Sequence, residues 1–411
     1  MGSCYNNREM KQKRLMLLGG LPYLLPIIEE AHRLGVYVIT ADYLPNNIAH
    51  KYSDEYCNVS IVDKEAVLQA ALELQINGIL SHAVDPGVVA AAYVAEKMGL
   101  PFQCSYEVAC ILQDKSKFRQ FLSENGFNTP HARGYGNLRE ALRDVDFFTW
   151  PVIVKPVDSA GSKGVSKVES SEHLAEAVKI ALDASLSKKF VIEDFLNLEG
   201  YQSSADVFTV DGKLVYSTYS DQLFDSNAEN PYTPAIEIWP ATMPQYYQNE
   251  LTSELQRLFT TLDVKSGIYN VESRVCTNGK VYIMEVSPRG GGNRIAELQD
   301  MATGQCLIRN EILKALDMPM NKIASPIYEG VWCNYILHTN EAGILHAIHI
   351  DEQFRREHIR SMGLTKSPGD KVEVFMGANQ SLGTLFLQFD TREQLNEALV
   401  NQDKWLKICL E

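Results

Sequence analysis

Long apolar runs are missing from this sequence. Leu15–Leu18 is too short for the apolar core of a secretion signal, and stretches such as Val88–Ala95 fall well below the roughly 20 residues that cross a bilayer. A cytoplasmic protein is expected. Basic residues are also in deficit: 38 Lys and Arg against 52 Asp and Glu leave a net charge of −14. That excludes a general nucleic-acid binder, which needs a basic face to neutralise phosphates. Any anionic ligand must therefore be met by a few local groups. The eight cysteines, at 4, 57, 104, 110, 276, 306, 333 and 409, include no C-x-x-C pair. Neither a zinc ribbon nor a dithiol redox motif can be built from them, and reduced thiols are expected. No G-x-x-x-x-G-K-[ST] run occurs, so there is no P-loop. Internal repeats and low-complexity tracts are absent too.

What is present suits a packed, multidomain α/β chain, with 45% apolar and 22% charged positions over 411 residues. KRLMLLGG reads as a buried strand ending at Gly19 and Gly20, LPYLLPIIEEAHRLG as a helix, and VYVITADY as a second strand. A helix from Lys64 to Gln75, a strand at GILSH and a helix at PGVVAAAYVAEKMG continue the rhythm of a parallel sheet covered by helices. One helix is expected from Ser105 to Asn125, stopped by Gly126.

From 130 to about 193 a small unit contains PVIVKPVDSAGSKGV, a helix from Glu172 to Ala184 and the strand KFVIEDFL. SSADVFTV and GKLVYSTYS then form an antiparallel hairpin about Asp211-Gly212. The polar link from Asp221 to Pro234 is expected to be a mobile loop. After a helix at 246–262, GIYNVESRV and KVYIMEVSPR are strands joined at Asn278-Gly279, and short strands and helices fill the tail from about 328.

Three features carry chemistry. PVIVKPVDSAGSKGV puts Lys155 at a strand end, ahead of a loop in which Gly161 and Gly164 allow close backbone approach and Ser159 and Ser162 add hydroxyl donors. A hairpin of this kind can fold over phosphates, although taken alone it reads first as a flexible surface hairpin. Glu272 and Glu285 lie thirteen residues apart around a tight turn, so both can face one side of the sheet and hold a hard divalent cation together with substrate phosphates. SPRGGGN adds Arg289 for planar recognition of a phosphate or carboxylate, and Gly290, Gly291 and Gly292 for a nest of N–H groups. Taken together, they describe a phosphoryl-transfer site.

The order of Lys115 in QDKSKFR, Lys155 with its glycine loop, VIEDFL, Glu272 and Glu285 resembles the ATP-grasp superfamily over roughly residues 10–330. The resemblance implies an α/β and α+β multidomain chain with an ATP-grasp fold. Its expected parts are an N-terminal Rossmann-like, parallel-sheet domain (1–108), a small lid subdomain with its preceding helix (109–196), a large subdomain with the metal site (197–327) and a C-terminal α+β domain (328–411). It also implies ATP and Mg²⁺, or Mn²⁺, as cofactors. By position Lys115 and Lys155 would contact phosphates under the lid of Ser159, Gly161, Ser162 and Gly164. The backbone at Phe195 and Leu196 would read adenine beside Glu193. The ribose position departs from the family pattern, falling on Gln202 with Glu199 nearby, and the second metal carboxylate is followed by Ser287 where the family often has Asn. Arg289 and Lys155 are the expected catalytic groups, and Glu272, Glu285 and Ser287 the metal set.

The activity this implies is an ATP-dependent carboxylate-amine ligase: a carboxylate attacks the γ-phosphate to give an acylphosphate and ADP, and an amine then displaces phosphate. Small-molecule acid and amine substrates are its expected partners, with no nucleic acid or membrane, and a homodimer is the expected assembly. Two alternatives stay open at this point: a purine-pathway member acting on a ribonucleotide amine or bicarbonate, and a non-catalytic ATP-binding protein. No general base is evident, and His82 and His131 read as structural.

Overall fold

The computed structural model describes residues 12–159 and 161–411; of the cysteines, Cys4 lies outside them. The described cysteines are all free. The described chain folds into two compact units, one running to Phe102 with Ile308–Met320 added, the other comprising Gln103–Leu307 and Asn321–Glu411. No helix among the described residues is long and apolar enough to cross a membrane.

In the first unit β1 (Arg14–Leu18), β2 (Tyr37–Asp42), β3 (Glu55–Asn58) and β4 (Gly78–Leu80) form a parallel sheet in the order β3-β2-β1-β4. Leu15–Leu18 and Val38–Ala41 are almost wholly buried, as continuous apolar strands covered on both faces should be. Short β3 was not expected, because EYCN carries neither alternation nor an apolar run. The helix Leu307–Ala315 lies for the most part within this unit, where Glu311 pairs with His82 Nδ1 at 2.7 Å. That pairing accounts structurally for His82.

The second unit begins with a correction. Ser105–Asn125 is two helices, Tyr106–Leu112 and Lys115–Glu124, broken where the Asp114 carboxylate caps the N–H groups of Ser116 and Lys117. An aspartate inside a helical pattern competes for backbone donors and here starts a new helix. The cap puts Lys115 at the first turn of that helix.

Next comes a four-stranded antiparallel sheet of β5 (Ala132–Tyr135), β6 (Val152–Pro156), β7 (Ser166–Val168) and β8 (Phe190–Asp194), in the order β5-β8-β6-β7. The helix Leu174–Ala184 packs Leu174, Ala177, Val178 and Ala181 against Val152, Val154, Phe190 and Ile192.

The following strands are β9 (Ser203–Val210), β10 (Lys213–Ser217), β11 (Asp221–Phe224), β12 (Pro234–Trp239), β13 (Gly267–Val275), β14 (Val281–Ser287), β15 (Val331–Leu337), β16 (Gly343–Ile350), β17 (Ile359–Leu364), β18 (Lys371–Val372), β19 (Gly383–Phe389) and β20 (Leu406–Leu410). They make a sheet β10-β9-β13-β14, a sheet β11-β12-β15-β19-β17 and a small sheet β18-β16-β20. Alternation along β13 is clean: Val271 and Val275 pack on Leu251, Leu255, Leu258 and Phe259 of the helix Gln245–Thr261, while Asn270, Glu272 and Arg274 are turned to the other side and only partly covered.

Two expectations change here. The polar link from Asp221 opens as β11, with Asp221 and Gln222 buried and the Asp221 carboxylate paired to Arg392 at 2.5 Å. Its polar letters are the inner positions of a strand whose partners arrive from elsewhere in the chain. The tail from 328 is likewise continuous with what precedes it, since β12 pairs with β15 and β15 with β19 in one sheet.

Candidate active site

Pairing of β13 with β14 sets Glu272 directly opposite Glu285, with a bulge just after Glu272. Both carboxylates share the face that also carries Asn270, Arg274 and Ser287. Burial and the neighbouring Glu285 charge raise the Glu272 carboxyl above the usual range, against the opposing pull of Arg274, Lys115 and Lys155. Two carboxylates held this close in a poorly solvated place fit a divalent cation, which removes their mutual repulsion. Ser287 stands on the same face, but its Oγ accepts a hydrogen bond from Gln113 Nε2 at 2.8 Å. Across from it, paired Asn270 donates to Asp206 Oδ1 at 3.0 Å.

Lys115, at the start of its helix, reaches Glu285 Oε2 at 3.1 Å and the Ser159 carbonyl at 3.1 Å. One ammonium thus touches both Glu285 and the glycine loop. Lys155, at the end of β6, is held by Glu193 Oε1 at 2.5 Å. The other oxygen of Glu193 accepts from Arg119 Nε at 2.9 Å, and Arg119 also donates to the Met284 carbonyl. Burial pushes the Lys155 ammonium down to about 8, outweighing the upward pull of Glu193. Burial would raise the Glu193 carboxyl, but Arg119 and Lys155 reverse this and hold it at about 2. The Glu193 side chain is therefore committed to two cations.

Arg119 was missed from sequence, although it stands four residues after Lys115 and so on the same helix face. Asp206 was missed because a lone acid inside SSADVFTV looks like an outward strand position. Its carboxylate is fully buried and accepts the Gly291 N–H at 2.8 and 3.1 Å. A Cβ on Gly291 would fall 2.8–2.9 Å from Asn270 Nδ2, Asp206 Oδ1 and Ile295, so only glycine fits. Arg289 is buried at the base of this loop, with its Nη1 donating to the Gly290 carbonyl at 2.8 Å.

Gln202 is also buried. It donates to Gln222 Oε1 at 2.7 Å and Glu272 Oε2 at 3.4 Å, and accepts from Arg274 Nε at 2.6 Å. This ties it to Glu272, whereas Glu199 is exposed. The Phe195 N–H donates to the Pro151 carbonyl, the Phe195 ring lies 4.6 Å from Lys167 Nζ, and Leu196 packs on Cys276, Tyr282 and Met284. The glycine loop is tied at its ends: the Asp158 carboxylate accepts from Ser185 Oγ and from the Leu186 and Ser187 N–H groups, while the Ser162 carbonyl accepts from Asn230 Nδ2 at 3.3 Å. His131 pairs with Asp194 at 3.1 Å on an exposed edge.

A lysine-flanked glycine hairpin, a register-paired carboxylate couple and an arginine-glycine nest thus occur in one unit, and residues 148–297 match the family described as ATP-grasp domain. This chain contains an ATP-grasp domain. It is 24% identical over 279 residues to formate-dependent phosphoribosylglycinamide formyltransferase of Methanocaldococcus jannaschii, covering 67% of this chain and 69% of that protein. Against the carbamoyl phosphate synthase large chain of Thermoanaerobacter sp. (strain X514) it is 25% identical over 230 residues, 56% of this chain but 20% of that protein, so it spans about a fifth of that relative. The chain shares its fold with the crystal structure of L-amino acid ligase from Bacillus licheniformis, at a TM-score of 0.81 and 21% identity over 97% of this chain and 99% of that one.

Proposed function

We propose that this ATP-grasp enzyme is an ATP-dependent carboxylate-amine ligase that forms an acylphosphate, releases ADP and phosphate, and joins the acid to an amine. The observation that carries this reading is the Glu272–Glu285 pair beside Lys115, with Lys115 touching the glycine loop as well. Magnesium fits the two carboxylates; bound there it would neutralise phosphate charge, and manganese fits the same oxygen donors. Asn270, on the same face, offers an amide beside Ser287.

Lys115 and Glu285 form an ion pair; with nucleotide and metal bound, Glu285 would help to hold the cation and Lys115 would contact a phosphate. Lys155, fixed by Glu193, is the second phosphate contact, and the loop of Ser159, Gly161, Ser162 and Gly164 covers the phosphates. Phe195 and Leu196 border the adenine and Glu199 the ribose, while Gln202 steadies Glu272 and Arg274. Arg289 with Gly290–Gly292 anchors the acid so that its oxygen lies in line with the γ-phosphate. Positioning and charge neutralisation then supply most of the rate. The free thiols and acidic surface suit the cytosol, and a homodimer remains the proposed assembly.

The test is a screen of amino acids and nucleotide amines, each with acid partners, for ATP-dependent phosphate release, followed by chromatography of the nucleotides. ADP as product supports the ligase; AMP as the main product overturns it. A ribonucleotide amine as the preferred substrate is the second reading, motivated by the formyltransferase relative, and the same screen separates the two.

A further inference from the structure

Position 287 is where the sequence departs from the metal pattern it resembles: a serine stands two residues after Glu285, where the family often has asparagine. Ser287 is 1% exposed, and its Oγ already accepts from Gln113 Nε2 at 2.8 Å. The ladder puts an amide directly across from it. Asn270 on β13 is the register partner of Ser287 on β14, just as Glu272 is of Glu285. On the far side of β13, β9 continues both rows, with Ser204 opposite Glu272 and Asp206 opposite Asn270. One row across the three strands therefore reads Ser204, Glu272, Glu285, and the next reads Asp206, Asn270, Ser287, on the same face of the sheet.

The Asn270 amide is held in one orientation. Its Nδ2 donates to Asp206 Oδ1 at 3.0 Å and to the Ala205 carbonyl at 3.4 Å. A backbone carbonyl only accepts, so the nitrogen and not the oxygen of the amide must face β9. The planar group then turns Oδ1 away from that strand, and Oδ1 has no hydrogen-bond partner among the described residues. Unlike Ser287, Asn270 is only partly buried, as Glu272 and Glu285 are. A neutral, oriented and unpaired oxygen beside two carboxylates is a donor that a hard divalent cation accepts. Side chains directly opposite on neighbouring strands start only about 5 Å apart, so an amide moved from β14 to β13 can reach the same ion.

We propose that the side-chain oxygen of Asn270 is a ligand of the divalent cation at Glu285, taking from β13 the part that an asparagine at position 287 would take from β14, and that Asp206 is the residue that positions it. The inference deepens the ligase reading, on which it rests for the cation itself, and puts Asn270 in place of Ser287 in the metal set. It also gives the wholly buried Asp206 a task. One carboxylate fixes the amide and, through the Gly291 N–H, the loop that carries Arg289, so the ion and that loop are held by a common support.

The probe is Mn²⁺, titrated into the full chain with a non-hydrolysable ATP analogue. Electron paramagnetic resonance measures the free ion, and line broadening in water enriched in the magnetic oxygen isotope counts the waters on the bound one. Asn270→Ala should weaken Mn²⁺ by about tenfold and admit one more water to the ion, whereas Ser287→Ala should lose much less. Asn270→Thr keeps a donor for Asp206 and suits a strand but lacks the carbonyl oxygen, so it should show the same two changes with wild-type thermal unfolding. Calorimetric binding of the analogue in EDTA should be the same for all three variants. Unchanged Mn²⁺ affinity or an unchanged water count in the Asn270 variants overturns the ligand, as does a loss in Ser287→Ala equal to that in Asn270→Ala. If Glu285→Gln leaves Mn²⁺ affinity at the wild-type value, no cation sits at Glu285 and the assignment falls with the site. ADP release is recorded in parallel. Asn270-dependent Mn²⁺ binding without ADP from any acid-amine pair would sink the ligase reading and leave the ligand, whereas ADP release from such a pair with Mn²⁺ affinity indifferent to Asn270 does the reverse.

Discussion

Glu285 does two jobs in this structure: it opposes Glu272 across the ladder and it restrains Lys115. Glu285→Gln should therefore leave the fold intact and lower kcat by about 100-fold or more, the usual loss when one preorganised charge at a transferring group is removed. Glu272→Gln should act in the same direction, and steady-state rates with circular dichroism check both. Lys155 gives a pH signature. Its ammonium is charged below about 8 and lost as pH rises through that value, so kcat/KM for ATP should fall above pH 8 in the free enzyme. Bound triphosphate favours the charged form, so kcat should hold to higher pH. A flat kcat/KM profile between pH 7 and 9.5 would remove Lys155 from phosphate binding. At Arg289, substitution by Lys keeps charge but loses the planar fork. Hydroxylamine trapping of the acylphosphate should fall more than ATP affinity does; equal hydroxamate from both proteins would take the acid away from Arg289.

Among elements, the glycine loop between β6 and β7 is the proposed lid of the site. Its anchorage is polar: Asp158 at one end, Lys115 on the Ser159 carbonyl, and Asn230 on the Ser162 carbonyl, with Asn230 also donating to the Met376 carbonyl at 3.0 Å. Few apolar contacts hold it, so it belongs to the low-stability end of the unit. Hydrogen exchange at 161–164 should slow when an ATP analogue and Mg²⁺ are added. Asn230→Ala should speed exchange there in the ligand-free protein and leave β6 and β8 unchanged. Identical exchange with and without nucleotide would refute a lid role.

For the second unit as a whole, the five-stranded sheet is the controlling object. β15 lies between β12 and β19, so the residues after 327 complete the sheet on which Glu237 sits. Buried Ile238 packs in the same core as Cys333, Leu385 and Leu387. A chain ending at 327 leaves β12 as an unpaired apolar edge, which invites aggregation. Truncation there should abolish cooperative thermal unfolding and ATP binding together; a soluble, ATP-binding 1–327 fragment would show the tail to be dispensable.

Much of this was legible from the sequence because the signals were local. The apolar runs and intervening helical periods of the first unit, the Asp211-Gly212 and Asn278-Gly279 turns, and the thirteen-residue interval that sets Glu272 against Glu285 each depend on period and turn chemistry within a few dozen residues. Tertiary structure decided what depends on distant partners. Asp221 and Gln222 look like loop residues until Arg392 and Glu237 arrive beside them. Glu193 looks like an adenine-side acid until Arg119 and Lys155 claim both of its oxygens. Glu237 is one acid in an apolar strand until β15 brings Asn334 opposite it. A buried polar side chain takes its role from its partners, and chain folding brings those partners from up to 229 residues away, as for His82 and Glu311, beyond the reach of any local pattern.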